Sequence, residues 1–201
     1  MTSTALAGLL AGLGLIVAIG SQNAFVLRQG LARQQVGPVV AVCALSDAVL
    51  IAAGVAGIGT LVEQAPGVLV VVRWAGALFL ATYAALSLRR AARGGETLEA
   101  AAQGVTRLVP AVLTTLALTW LNPHVYLDTV LLLGSLASGY GADGRWAFAA
   151  GAALGSVVWF VGLGYGARLA SGLFARPGAW RVLDLLIGIV MLALAVSLVL
   201  H

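Results

Sequence analysis

Six stretches of this chain, roughly 4–27, 36–60, 67–88, 109–138, 146–170 and 180–200, each continue for about 20 residues or more with hardly a charge. A helix of that length crosses a hydrocarbon core of about 30 Å while satisfying all of its own backbone hydrogen bonds. Six such runs in 201 residues leave little chain for anything else. The composition agrees: 61% of residues are hydrophobic and 9% charged, with a mean hydropathy of +1.05. Soluble domains have about 45–50% and about 25%, and no domain of this size hides so much apolar surface from water. The pattern predicts an all-α, polytopic integral membrane protein with six transmembrane helices.

The first run opens "MTSTALAGLLAGLGLIVAIGSQNA" and has a signal peptide's small residues but no basic flank. Its apolar stretch also exceeds the usual 7–15 residues of such a leader, so it is read as a retained first span.

The formal net charge is +4, and all the basic residues are Arg. The absence of Lys is read as codon bias. On alternate connections, Arg28 and Arg33, then Arg89, Arg90, Arg93 and Arg107, then Arg168, Arg176 and Arg181 fall on one side. The other side holds Arg145, and Arg73 at a span edge. This asymmetry places the 89–108 loop in the cytoplasm and both termini outside. Arg residues scattered over short loops make no basic patch, which excludes nucleic acid as a partner and leaves membrane lipid. Cys43 is the single cysteine, so no intrachain disulfide forms and it reads as apolar filler.

The two halves resemble each other weakly. "QNAFVL" (22–27) matches "LNPHVYL" (121–127) with one residue inserted, and "LSDAVL" (45–50) falls opposite "LGSVVW" (154–159), pairing Asp47 with Ser156. "RWAGALFLATYAALSL" (73–88) shares its opening Arg and its texture with "RVLDLLIGIVMLALAVSL" (181–198). The chain is therefore read as one transmembrane domain, 1–201, with a three-helix repeat in 1–88, a cytoplasmic loop at 89–108 and a second repeat in 109–201. Three spans per repeat force opposite insertion, the inverted-repeat plan of many secondary transporters.

Charges within the spans single out a site. An Asp near mid-membrane costs roughly 2.5–3.5 kcal/mol on insertion scales, so Asp47 and Asp128 are candidate functional residues. A structural hydrogen bond or ion pair is the other reading of Asp47. Arg73 and Arg181 are either counter-charges or interfacial anchors. Glu63, Asp143 and Asp184 are assigned to loops or their edges. His124 lies at i,i+4 from Asp128, but a metal ion wants three or four ligands and the only other His is His201. No metal site and no cofactor is expected.

The fourth run is too long for one straight span, since about 30 residues extend about 45 Å. Asn122 followed by Pro123 is a helix-start signature, an N-cap and then Pro at the first helical position. It predicts a half-helix whose free N–H groups open within the membrane, or else a simple kink. "GSQNA" (20–24) offers Gly20, Ser21 and Asn23 for a similar break in the first run. The pairs Gly8 with Gly12, Gly151 with Gly155, and Gly162 with Gly166 have the spacing of close helix packing.

Catalysis needs a nucleophile with an activating base, and the spans hold only His124 and an isolated Cys43. No GxxxxGK[ST] loop is present, so the chain is not itself an ATP-driven pump. "GSQNAFVLRQGL" (20–31), "SDAVLI" (46–51) and "TWLNPHVYLDT" (119–129) resemble the LysE/ArgO branch of the LysE superfamily, bacterial exporters of basic amino acids. The related RhtB branch, which exports neutral amino acids, has Gly-Pro-Asn where this chain has Gly-Ser-Gln-Asn. The resemblance implies export of L-lysine or L-arginine across the bacterial cytoplasmic membrane, driven by membrane potential or a proton gradient. It carries over Gln22, Asn23, Asp47, Asn122, Pro123, His124 and Asp128 as substrate-binding or coupling residues. Neutral amino acids or a divalent cation remain the alternative cargo, and a homo-oligomer is compatible with the sequence.

Overall fold

The structure is a computed structural model and describes residues 1–17, 20–57, 66–93, 107–169 and 177–200. Its regular elements there are helices: α1 (Thr2–Ile16), α2 (Ser21–Ala32), α3 (Val36–Val55), α4 (Pro66–Arg93), α5 (Leu108–Trp120), α6 (Pro123–Ser138), α7 (Gly141–Gly166) and α8 (Pro177–Leu200). Most of the 89–108 loop, Arg176 and His201 lie outside the described residues. Helices α3, α4, α7 and α8 are each long and apolar enough to cross a membrane. The remaining four form two bent pairs, α1 with α2 at 84° and α5 with α6 at 61°, which bring the number to six if each pair is one span. The expected all-helical, multi-pass architecture is what the chain adopts, and both sequence-predicted breaks are present.

Small residues set the helix spacing. A Cβ added to Gly8 would collide with the Phe148 carbonyl, and one on Gly151 with the Ala5 carbonyl. Helices α1 and α7 thus lie backbone against backbone, with Gly12 and Gly155 continuing the seam. Without a hydrophobic driving force in lipid, such close approach supplies the van der Waals contact that holds helices together. Gly162 and Gly166 face open space instead, so this third pair does not pack as its spacing predicts. On the same helix the packed position is Gly164, against Val26, Val36 and Val40.

Helix α4 runs along α8, and α3 packs on α7, α5 and α6. Gly54 of α3 meets the Val130 backbone, and Gly134 of α6 meets Gly54 in return. The main core joins α2, α3, α4, α7 and α8 through Phe25, Val39, Leu80, Phe160, Trp180 and Met191. Outward-facing Leu78, Leu113, Val158 and Leu186 are exposed, as lipid-facing residues of a bundle are. Between α2 and α3 the chain reverses at Arg33 and Gln35, both in the left-handed region (φ 55° and 45°). The Arg33 and Gln34 N–H groups close the end of α2 on the Gly30 and Gln29 carbonyls. This turn returns α3 past the bend between α1 and α2 and carries Asp47 to it.

Candidate functional site

The second break begins where Pro123 cannot continue α5. The Asn122 side chain accepts from the His124 N–H at 3.2 Å, and Pro123 occupies the first turn, as an N-cap followed by proline requires. Two carbonyls of α5 would otherwise be stranded. The Asn122 N–H donates to the Thr119 carbonyl at 3.3 Å, and the Tyr126 hydroxyl donates to the Trp120 carbonyl at 2.8 Å. A Cβ on Gly76 of α4 would collide with the Leu121 carbonyl, so only glycine lets α4 approach here. The Trp120 indole N–H reaches Ser46 Oγ at 3.2 Å, tying the break to the residue before Asp47. From Tyr126 to Leu132 the helix widens into a π-helix that contains Asp128. Such segments are rare and gather at functional sites.

The first break has different parts. Gly20 caps α2 in an extended conformation, φ −107° and ψ 176°. Asn23 Nδ2 donates to the Ile16 carbonyl at 2.7 Å, satisfying the end of α1, while its Oδ1 accepts from the Trp159 indole N–H at 3.1 Å. Both ends of the Asn23 carboxamide are thus committed to holding the bend. Ser21 Oγ donates to the Leu118 carbonyl at 3.4 Å and joins the two broken pairs.

Between the breaks lies a cavity of about 220 Å³ lined by Gln22, Asn23, Asp47, Asn122, His124 and Asp128, together with Ser156. Six of the seven sequence-predicted site residues therefore meet in one place. Pro123 does not: it faces an adjoining, largely apolar cavity of about 240 Å³ with Arg73, Leu127 and Leu198, and His124 borders both. Asp47 is buried and accepts from Ser156 Oγ at 2.6 Å, a short charge-assisted bond. Asp128 is exposed at the cavity's open side. The Gln22 Nε2 is buried beside the Cys43 thiol, a weak acceptor, and makes no full hydrogen bond. A donor so placed is costly unless a ligand completes it. Among the described residues, no three His, Cys, Asp or Glu side chains gather as a metal ion needs.

Of the two readings of Arg73 and Arg181, the counter-charge one finds no support in ion pairing. Among the described residues neither Arg73 nor Arg181 makes an ion pair. Arg181 is exposed, and Arg73 lies 6.0 Å from the Trp74 ring centroid. Asp184, which the sequence places at a loop edge, is instead buried within α8. Its Oδ1 is 3.5 Å from Arg28 Nε and 3.2 Å from Arg90 Nη2, and Arg90 also donates to Ser87 Oγ at 2.8 Å. Arg28 thus belongs to the core, and Arg90 lies half-buried at its edge within α4. Both sat at the ends of apolar runs, where a boundary shift of a turn decides between interface and interior.

Apolar helices, two spans of them broken around a polar cavity with two carboxylates, have the architecture of a multi-pass membrane transport protein. Residues 13–201 match the family of LysE type translocators. The chain is 40% identical to the lysine exporter LysE of Corynebacterium diphtheriae over 99% of its own length and 100% of that protein's. It is 42% identical to the arginine exporter protein ArgO of Yersinia enterocolitica, covering 98% of this chain and 97% of the relative. A lysine exporter LysE from Corynebacterium efficiens is 38% identical over 96% of each. No solved structure matches the chain. The chain belongs to the LysE-type translocator family, as its motifs predicted.

Proposed function

We propose that this chain is a secondary-active exporter of basic L-amino acids, lysine or arginine or both, across the bacterial cytoplasmic membrane. The observation that carries this reading is that Asp47 and Asp128 line one cavity onto which both helix breaks open. A basic amino acid brings one carboxylate and two cationic groups. The acidic side chains are complements for the cations. The N–H groups at the start of α2 and the Gln22 carboxamide, all on the cavity wall, are complements for the carboxylate. A cavity of about 220 Å³ holds one small solute, below the roughly 300–1,000 Å³ of drug-sized pockets.

The remaining groups are positioning groups. Asn23, Asn122 and Tyr126 satisfy backbone groups at the bends, Asn122 taking the His124 N–H, so that both breaks persist without stranded groups. Ser156 holds the Asp47 carboxylate in one orientation. Export driven by a proton gradient would route the proton through Asp47; a cationic cargo also couples to the membrane potential directly, about 2.3 kcal/mol per charge per 100 mV.

The inverted repeat of 1–88 and 109–201 belongs to the same reading. Residues equivalent under a two-fold axis meet where helices cross that axis, and Asp47 and Ser156, paired by the repeat alignment, are in direct contact. With six spans the 89–108 loop lies in the cytoplasm and both termini outside.

Counterflow in proteoliposomes tests the cargo. Vesicles preloaded with lysine or arginine should accumulate either labelled amino acid. Uptake that follows only leucine, threonine or Cd²⁺ would replace the basic-substrate reading with one of its alternatives.

A further inference from the structure

The second cavity, behind the Asn-Pro break, has no part in the reading above. It measures about 240 Å³ and lies where α4, α6 and α8 meet. Val70, Pro123, Leu127 and Leu198 make most of its wall, with His124 and Ser197. Val70 and Leu127 are 45% and 46% exposed, so the cavity is open at its rim to the surface that the bundle turns toward lipid. An apolar space of this kind stays dry and takes apolar ligands. In a bilayer the apolar molecule at hand is an acyl chain.

One charge stands in this wall. Arg73 is half-buried, its Nε is buried without a hydrogen-bond partner, and it makes no ion pair among the described residues. Its guanidinium carbon is 6.0 Å from the Trp74 ring centroid, the outer limit of a cation–π contact. A buried donor left unpaired is costly until a ligand completes it. Arg73 lies in the first part of α4, and Trp74 beside it is exposed. Arginine and tryptophan near a span's end stand at the depth of lipid headgroups.

We propose that this cavity is a binding site for an anionic phospholipid: the Arg73 guanidinium takes the phosphate, and one acyl chain fills the space against Val70, Leu127 and Leu198. The guanidinium fork meets a phosphate in two parallel bonds, which a lone ammonium does not. A zwitterionic phospholipid carries its own cation beside the phosphate, so the site discriminates by net charge. A basic amino acid is the wrong occupant. Its cationic groups would leave water for an apolar wall beside a fixed positive charge. Pro123 faces this cavity and not the solute one, and among the described residues only His124 borders both. A bound chain therefore braces the first turn of α6 from behind and supports the break that shapes the solute cavity. Arg181 is the matched control: it lies near the start of α8, is exposed, and lines neither cavity.

The test is thermal unfolding of the delipidated full chain in a neutral detergent, titrated with phosphatidylglycerol or with phosphatidylcholine of the same chains. Phosphatidylglycerol should stabilise the wild type at a concentration about tenfold or more below that of phosphatidylcholine, the worth of a charge-assisted bond. Arg73→Gln should abolish that preference, Arg73→Lys should keep part of it, and Arg181→Gln should keep all of it. Leu127→Trp fills the cavity and leaves the charge, so it should weaken the response to both lipids. Glycerol phosphate, the headgroup without a chain, should give no shift. In lysine counterflow, adding phosphatidylglycerol to phosphatidylcholine vesicles should raise wild-type flux several-fold and leave that of Arg73→Gln where it was. No preference in the wild type, or equal losses from Arg73→Gln and Arg181→Gln, would overturn the site. A full response to glycerol phosphate would make it an anion site without a chain. Stabilisation by lysine that Leu127→Trp removes would make it part of the solute path. Either result overturns lipid binding there. Unfolding involves no transport, so failure of the basic-solute reading would show in counterflow alone.

Discussion

Ser156 Oγ donates to Asp47 Oδ2 at 2.6 Å, across the contact between α7 and α3 and at the edge of the cavity. One carboxylate oxygen of this cavity-lining residue is thereby held by a hydroxyl, not by an ion pair. No such ion pair forms with Arg73 or Arg181, the counter-charges that the sequence offered.

Replacing Asp47 by Asn keeps the shape and removes the charge. Export of lysine and arginine should fall to background while the protein still inserts, as measured by proteoliposome flux against membrane abundance. Ser156→Ala should be milder, because it frees the carboxylate rather than deleting it. A charge-assisted hydrogen bond is worth roughly 1.5–3 kcal/mol, so about a tenfold loss or more is expected. Wild-type flux in Asp47→Asn would end the acidic-site mechanism.

Asp128 stands in the π-helical part of α6 and at the open side of the cavity. It is less enclosed by protein than Asp47, so Asp128→Asn should impair transport less completely. Half-saturation measured for each variant separates the two. If Asp128→Asn were the more damaging, the order of burial would not govern the order of function.

Much of this was legible in the sequence, and the reasons are particular. The cost of a charge in lipid pointed to Asp47 and Asp128. Asn122–Pro123 encodes its break locally, because proline lacks the N–H and asparagine supplies the cap. Gly20–Asn23 encodes the other less strongly, since the bend also needs Trp159, far along the chain, to hold Asn23. The π-helix was not legible, because local propensity does not specify it. Gly162 and Gly166 have the same spacing as Gly151 and Gly155, and only tertiary packing decides which pair meets a neighbour. Asp184 was missed for a simpler reason: four residues from the start of an apolar run, it reads as interfacial until Arg28 and Arg90 are seen to converge on it.

Topology follows from the Arg bias and is open to direct measurement. With Cys43 replaced by Ser, a cysteine at position 95 should be inaccessible to impermeant thiol reagents in intact cells. One added after the C-terminal residue should react. Labelling of position 95 from outside would reverse the assigned orientation, and opposite sides for the two termini would remove the six-span count and the inverted repeat together.

Gly54 and Gly76 are where α3 and α4 touch the backbone of the broken span, at Val130 and Leu121. Any side chain there must push backbone, not a flexible side-chain tip. Gly54→Val and Gly76→Val should each destabilise by about 1–3 kcal/mol, the usual cost of overpacking. Thermal unfolding in detergent checks this. Gly162→Val, facing open space, is the matched control and should leave stability within about 0.5 kcal/mol.

The Asn-Pro break makes the most specific demand on the substrate. Asn122 caps the first turn of α6 and Pro123 starts it, so the N-terminal end of that helix opens beside His124, which borders the cavity. If the amino acid's carboxylate is received at the start of α2, in the cavity that the break keeps open, lysinamide should compete poorly with lysine. Loss of one charge-assisted bond, roughly 1.5–3 kcal/mol, weakens binding by about 10-fold or more. Pro123→Ala should let α5 and α6 close the gap with ordinary i→i−4 bonds, which straightens the break at the cavity and releases Tyr126 from the Trp120 carbonyl. Transport should then fall more than thermal stability does. Tyr126→Phe separates the parts, because it strands the Trp120 carbonyl but leaves the cap intact. It should cost about 1–3 kcal/mol of stability and leave lysine's advantage over lysinamide unchanged. Equal competition by lysinamide and lysine, together with normal export by Pro123→Ala, would mean that the break is only a bend and that the carboxylate is held elsewhere.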